Sequence, residues 1–375
     1  MKQRKPTFRI FYPFQRAGWI ARFVISIVVG IVLFSCNKKS PAPSNPVPRG
    51  TRNLGVHVVQ AENQDFLQAL TVARTSGMNL LPLIFQWSEI DGNRGYDPDH
   101  LIPAIDLVLP DQQLALSLTI SPIAADRRDL PPGLAGLPFD DPLVINTYIR
   151  LIDSLAKGIT QTRIRYFLLG NEVDLYFSNH IDEWAHYIRF CEAIAPVARA
   201  AFGADCKIGA ECTVGSTATA QLPYIQALNA NLDVAVFTYY PINDQFIMQP
   251  VRVVSADLEN LLQRLPGKRI MLEETGYATG TICQGSNQLQ ADFVKEIFSF
   301  WDRHPEQLEC ICFLWLTDLS LDLARQTAAD YGVNGSPIEA AFVDCIRTLG
   351  MHTREGVAKP GFIVLQEQAG QRGWK

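Results

Sequence analysis

Eight short apolar runs, separated by amphipathic stretches, constrain this chain more than any other feature. They are "NLGVHVV" (53–59), "NLLPLIFQW" (79–87), "QLALSLTI" (113–120), "IRYFLLGN" (164–171), "CKIGAECTV" (206–214), "LDVAVFTYY" (232–240), "RIMLEETG" (269–276) and "CICFLWLT" (310–317). Each is near-continuously apolar instead of alternating, as parallel strands are when both faces are covered. The segments between them carry helical spacing. "NQDFLQALTVARTSG" sets Phe66, Leu67, Leu70, Val72 and Ala73 along one side and stops at a glycine. "IDEWAHYIRFCEAIAPVARAAFG" places acidic residues in its first turn, and "NQLQADFVKEIFSFWDRH" repeats Phe293, Ile297, Phe298 and Trp301. Strand and helix alternating eight times predict a single-domain (β/α)8 TIM barrel. A doubly wound open sheet would need a glycine-rich phosphate turn after an early strand, and "GVHVVQAEN" has none.

The barrel is expected over residues 51–350, with a signal segment at 1–35, a tether at 36–50 and a C-terminal tail at 351–375. Residues 1–35 hold six basic and no acidic residues and run through "FVISIVVGIVLF" into "SC". This is a charged n-region, an apolar h-region and a small residue before a cut. "LFSC" resembles a bacterial lipobox, with Leu33 three residues before Cys36. That resemblance implies cleavage at Cys36, its lipidation, and a folded domain outside the cytoplasm, anchored at the bacterial cell envelope. The apolar run is short for a full membrane span of about 20 residues. "NKKSPAPSNPVPRG" then reads as an extended, solvated tether.

Without the first 35 residues, 27 basic residues stand against 38 acidic ones. Such a body cannot neutralise phosphates, which argues against nucleic acid as a partner. Of the eight cysteines, most lie in apolar runs and no C-x-x-C pair occurs. They read as small buried hydrophobes, with a disulfide at Cys283 left open. No cofactor signature appears, and the strand ends lack the His-x-His pair that a zinc hydrolase would need. No metal site is expected.

Chemistry in a barrel sits at the C-terminal strand ends. There the fourth run ends in Gly170, Asn171 and Glu172, and the seventh in Glu273, Glu274, Thr275, Gly276 and Tyr277. Alternation puts Ile270, Leu272 and Glu274 on one face and Glu273 on the other. Acids on the fourth and seventh strands can converge across the mouth. Two converging carboxyls suit glycosidic cleavage, one protonating the leaving oxygen while the other attacks or stabilises C1. Glu211 also ends a strand and is a rival. His57 and His186 read as structural, and "DRRD" (126–129) as a solvated charge cluster.

"GNE" after strand four, "TYYP" (238–241), "EETGY" and "FLWLTD" together resemble the retaining glycoside hydrolases of clan A, the four/seven superfamily. "ETGY" and "YYP" are most similar to endo-β-1,4-galactanases. The resemblance implies Glu172 as acid/base, Glu274 as nucleophile and Asn171 on the sugar 2-hydroxyl. It also implies Tyr240, or its neighbour Tyr239, as the hydrogen-bond donor to the nucleophile, and Trp315 as a floor for the sugar. Trp87 and Tyr176 are candidates for flanking subsites. The expected partner is a carbohydrate, bound by a monomer. The alternative is a barrel lipoprotein that binds glycans without cleaving them.

Overall fold

The computed structural model describes residues 45–90, 106–124 and 126–374. The signal segment, Cys36 and most of the tether lie outside the described residues. In chain order the elements are β1 (Asn53–Val56), α1 (Phe66–Arg74), β2 (Leu80–Gln86), β3 (Ala115–Ser121), α2 (Pro142–Gly158), β4 (Ile164–Leu168), α3 (Val173–Phe177), α4 (Trp184–Phe202) and β5 (Lys207–Gly209, resuming as Glu211–Thr213). There follow α5 (Leu222–Ala230), β6 (Ala235–Tyr239), α6 (Val254–Arg264), β7 (Ile270–Thr275), α7 (Asn287–Arg303), β8 (Leu308–Phe313), α8 (Leu321–Asp330), α9 (Glu339–Arg347) and α10 (Pro360–Gln371). All eight apolar runs contain a strand.

Every pairing in the main sheet is parallel, and β1 returns to β8 with Asn53 opposite Cys310 and Val56 opposite Phe313. The ring closes through β5, which is broken at Ala210. Its first half pairs with β4 and its second with β6. The result is a TIM barrel of eight staves.

Two apolar layers follow from strand alternation. Leu80, Tyr166, Leu168, Val236, Met271, Cys310 and Cys312 fill the bore. Leu54, Leu81, Leu118, Phe167, Phe237, Leu272 and Ile311 face outward and join the larger core beneath the helices. Local signals set the helix starts. The Asp65 carboxylate accepts from the Gln68 amide at 2.8 Å while the Gln68 side chain accepts from the Asp65 amide at 2.9 Å, a reciprocal cap on α1. Ser286 caps α7 through the Leu289 amide at 3.1 Å.

The C-terminal segment is not the tail expected from sequence. Residues 360–371 form α10, which buries Phe362, Leu365 and Ala369. Trp374 then packs against Trp301, the rings tilted by 31° with centroids 4.9 Å apart. Phe362, Leu365 and Ala369 recur at helical spacing, and covering α7 takes these side chains out of water. Among the described residues no helix is long and apolar enough to cross a membrane.

Candidate active site

β4 ends in a sharp turn that aims Glu172 into the mouth. Gly170 is required there: a Cβ would lie 2.4 Å from Val173 Cγ1 and 2.5 Å from the Tyr187 hydroxyl. Glu172 itself adopts φ 44° and ψ 43°, a left-handed conformation that a residue with a side chain takes rarely and that recurs at functional sites. It stands just before α3, yet its carboxylate caps no helix amide. Instead Thr238 Oγ1 donates to Glu172 Oε1 at 2.8 Å, and the Tyr331 hydroxyl also hydrogen-bonds this carboxyl. Asp174, two residues on, is buried and accepts from both the Thr213 amide and hydroxyl at 2.7 Å. That pair ties the Glu172 turn to β5.

Glu274 reaches the same mouth by a different route from the one alternation predicts. Against β6, Leu272 pairs with Phe237 and the next pair is Glu274 with Thr238, so one residue is extra. Against β8 the register slips over the same interval. This bulge turns two successive side chains inward. Ile270 and Leu272 turn out to face the helices and Met271 the bore, so Glu273, two residues after Met271, is fully buried inside the barrel, and the bulge brings Glu274 inward as well instead of leaving it on the face of Leu272. His57 Nε2 lies 3.3 Å from its carboxylate and donates to its backbone carbonyl at 2.9 Å. Glu274 sits above, half-buried, where the Tyr240 hydroxyl donates to Oε2 at 2.7 Å.

Thr238 lies on β6 and Tyr240 follows its last residue, two positions on and about 7 Å further by strand rise. Each holds one of the two glutamates, so the carboxyls meet over β6. Their electrostatics agree. Burial raises Glu172, and the charge of Glu274 raises it further. Burial also raises Glu274, but less, because His57 and the Tyr240 hydroxyl favour its ionised form. Glu172 is thus the carboxyl that keeps a proton to higher pH, and Glu274 the one that ionises first.

Burial works against a charge on His57, but Glu273 and Glu274 outweigh it and hold its pKa up to about 9. Glu211 is fully buried, with both carboxylate oxygens unpaired. Burial, then Glu273, Glu274, Glu172 and Asp174, push it well above the carboxylate range, so it holds a proton far more tightly than a free carboxyl. These shifts share one sign. His57, Glu172, Glu274 and Glu211 all bind protons more tightly folded than unfolded. Their stabilisation is complete below the unfolded values and is lost as pH rises through the folded ones. The thermal midpoint should accordingly fall between about pH 5 and pH 9 in a denaturation series; a midpoint that climbs over that window would contradict these environments.

The other expected site residues divide. The Asn171 amide N–H is fixed to Ser121 Oγ at 3.0 Å, while its side-chain Oδ1 is buried and finds no partner in the protein. Trp315, half-buried just past β8, likewise has an unpaired Nε1. Tyr239 does not join the site. It points outward, donating to Asp257 at 2.8 Å, because odd and even residues of β6 face opposite ways. Trp87 is buried in the outer layer, edge-on to Tyr148 at 4.8 Å and stacked near Phe190, and lines no subsite. Tyr176 is buried too, donating to Glu183 at 2.8 Å and stacking on His180 at 4.3 Å. His186 is a surface partner of Asp140. Arg128 of "DRRD" is not simply solvated; it pairs with Glu183 at 3.3 Å, donates to the Leu137 carbonyl and lies 4.2 Å above the Phe139 ring. The contact missed from sequence is Tyr331, which arrives from beyond α8. A lone tyrosine in a polar loop carries no signal of its own.

His57, Glu273 and Glu274 each offer one ligand atom within 4.8 Å of the others, the one such group among the described residues. Since the Glu273 carbonyl only accepts, His57 Nε2 carries a proton there, and the trio reads as an ion pair beneath a carboxylate.

No protein-family model matches the sequence, and no curated protein sequence matches it. Solved structures do resemble it in fold. A GH5_18 protein from Bifidobacterium longum subsp. longum superposes with a TM-score of 0.65 at 14% identity, covering 86% of this chain and 79% of that one. A GH5_18 variant from Streptomyces cattleya, solved in complex with Manβ1-4GlcNAc, gives 0.62 at 13% identity over 86% and 81%. A family 39 glycoside hydrolase from Bacteroides cellulosilyticus gives 0.59 at 13% identity over 86% and 64%. At these identities the likeness is one of fold.

Proposed function

We propose that the chain is a glycoside hydrolase that cleaves an oligo- or polysaccharide by double displacement. One observation carries this reading: glutamates from staves four and seven, each held by a hydroxyl donor from β6, share the barrel mouth with unequal proton affinities. Glu274, with Oε2 held by Tyr240, attacks C1 through its other oxygen. Glu172 gives its proton to the leaving glycosidic oxygen, and a glycosyl-enzyme ester forms. Glu172, now ionised, takes a proton from water, which attacks C1 and restores Glu274. The unpaired Asn171 Oδ1 accepts from the sugar 2-hydroxyl, and Trp315 presents its ring to the apolar sugar face and its N–H to a hydroxyl.

The fold neighbours' names and the motif likeness suggest the first probes: aryl β-mannosides, Manβ1-4GlcNAc and β-1,4-galactan. Proton NMR from the first turnovers should show the released sugar with the anomeric configuration of the substrate. A first product of opposite configuration would overturn double displacement. Binding without turnover across the panel would favour the non-catalytic alternative. The rate profile should be bell-shaped, with both limbs above the ordinary carboxyl range.

A further inference from the structure

The fourth and fifth staves separate just where Glu172 is aimed. Their ladder runs from Tyr166 opposite Lys207 to Leu168 opposite Gly209. Two more bonds extend it, Leu169 N–H to the Gly209 carbonyl at 2.9 Å and Glu211 N–H to the Gly170 carbonyl at 3.1 Å. Alternate N–H groups of a strand point to opposite neighbours. The Val214 amide donates to the Thr238 carbonyl on β6 at 3.0 Å, so the Thr213 amide points back to the fourth stave. There it meets a side chain in place of a carbonyl. Asp174, 2% exposed, takes the Thr213 amide on Oδ1 and the Thr213 hydroxyl on Oδ2, both at 2.7 Å. Thr213 lies opposite Thr238, whose hydroxyl holds Glu172 at 2.8 Å. The contacts close a ring from the Glu172 carboxyl through β6 and β5 to Asp174 and back along the chain. Glu172, at φ 44°, is a conformation that persists when its surroundings over-determine it. Before the turn, the Tyr187 hydroxyl holds the Leu169 carbonyl at 2.9 Å and Ser121 Oγ the Asn171 amide at 3.0 Å. After it, Asp174 holds the chain to β5.

We propose that Asp174 is a positioning residue for Glu172, its carboxylate standing in for the absent fourth-stave backbone and fixing the turn that aims the acid/base across the mouth. The inference rests on the reading of Glu172 as the acid/base. The contact separates shape from charge. Asparagine would accept the Thr213 amide through its oxygen and donate to the Thr213 hydroxyl through its NH2, so it replaces the aspartate in shape alone. Burial pushes the pKa of Asp174 up to about 6, which leaves it ionised at neutral pH. After burial and Glu274, its charge is what helps Glu172 keep a proton. The other titratable groups facing Glu172 are Glu274 from β7, Glu211 from β5, Tyr240 just past β6 and Tyr331 from the loop after α8. All of these stay in place when Asp174 becomes asparagine.

The test compares the full-chain protein with Asp174→Ala and Asp174→Asn, each first checked for a cooperative melt. An aryl glycoside that the wild type cleaves gives the rate profile. The infrared difference between each protein and its Glu172→Gln counterpart gives the titration of Glu172 without any substrate. Asp174→Ala should lose about 100-fold in kcat, the scale of a misplacement of about 1 Å, with KM changed far less. Asp174→Asn should keep most of the rate, while its alkaline limb and its Glu172 titration both move to lower pH, because a negative neighbour is gone. An aspartate that stabilised the fold without acting on Glu172 would move neither. A folded Asp174→Ala protein with wild-type kcat, or an Asp174→Asn protein whose Glu172 titrates as in the wild type, would overturn the proposal. Should Asp174→Ala not fold, Asp174→Asn decides alone, a retained rate with a lowered titration supporting the proposal and a lost rate overturning it. Should the wild type cleave no glycoside, the glycosidase reading falls by itself and the infrared titration still decides whether Asp174 acts on Glu172.

Discussion

Replacing Glu274 with alanine is expected to lower kcat by roughly four to six orders of magnitude, the scale on which enzymes lose a nucleophile. Stability should hold or rise, because the change removes one of several crowded carboxyls from a buried site. The vacated space admits a small anion. Azide with an activated aryl glycoside should therefore restore turnover and give a glycosyl azide of configuration opposite to the substrate. Glu273→Ala is the necessary companion, since the β-bulge brings both glutamates inside. Glu273 is committed to His57 and does not reach the mouth, so azide should not rescue its loss. Hydrolysis by Glu274→Ala within tenfold of wild type, or azide rescue of Glu273→Ala alone, would displace Glu274 from the proposed role.

Asp302→Ala is expected to destabilise the fold by about 3 kcal/mol, at the low end of the cost of breaking a buried ion pair. Asp302 is buried and takes a two-pronged contact from Arg372, with Nε at 3.0 Å and Nη2 at 2.6 Å, while Arg52 Nη1 lies 3.3 Å away. Arg52 also stands 4.8 Å over Trp301, and Arg372 5.0 Å over Phe298. Alanine would leave two guanidinium groups facing each other without the anion between them. Each retains carbonyl acceptors, Arg52 on Val47 and Pro48 and Arg372 on Gln368, which is why the low end applies. The cluster joins the end of the tether, α7 and the C-terminal turn, so its loss should free both chain ends from the barrel floor. Urea unfolding of the two proteins measures the difference; a change below about 0.5 kcal/mol would show the aspartate to be dispensable.

The seventh stave shows where reading by period stops. The run "RIMLEETG" was legible as a buried strand because burial on both faces leaves an uninterrupted apolar run. Alternation groups Glu274 with Ile270 and Leu272, which the structure places on the outer face, and yet Glu274 is turned inward beside Glu273. The extra residue that does so is defined only by the registers of β6 and β8, which no local pattern encodes. Glu274 is a candidate nucleophile in both accounts, but for different reasons. Tyr239 and Tyr240 make the converse case. The sequence left the pair open, and the outward turn of Tyr239 to Asp257 separates them.

Trp87 is a subsite candidate by its position at the end of strand two and Tyr176 by its position in the loop after strand four. Both are large enough to fill the space between barrel and helices, and burial there is worth more than display in a cleft. Tyr331 had no such position to recommend it.

The order of strands and helices, and hence the closed barrel, was determined by the sequence itself, because hydrophobic period is a local property that survives without coordinates. The strand-end location of Asn171, Glu172 and Glu274 followed from that order. The partners that give each carboxyl its proton affinity were decided by tertiary structure alone. Thr238 and Tyr240 come from the sixth stave, His57 from the first and Tyr331 from a distant loop. Electrostatic environment depends on distance through space, and only the closing of the ring brings those groups within reach.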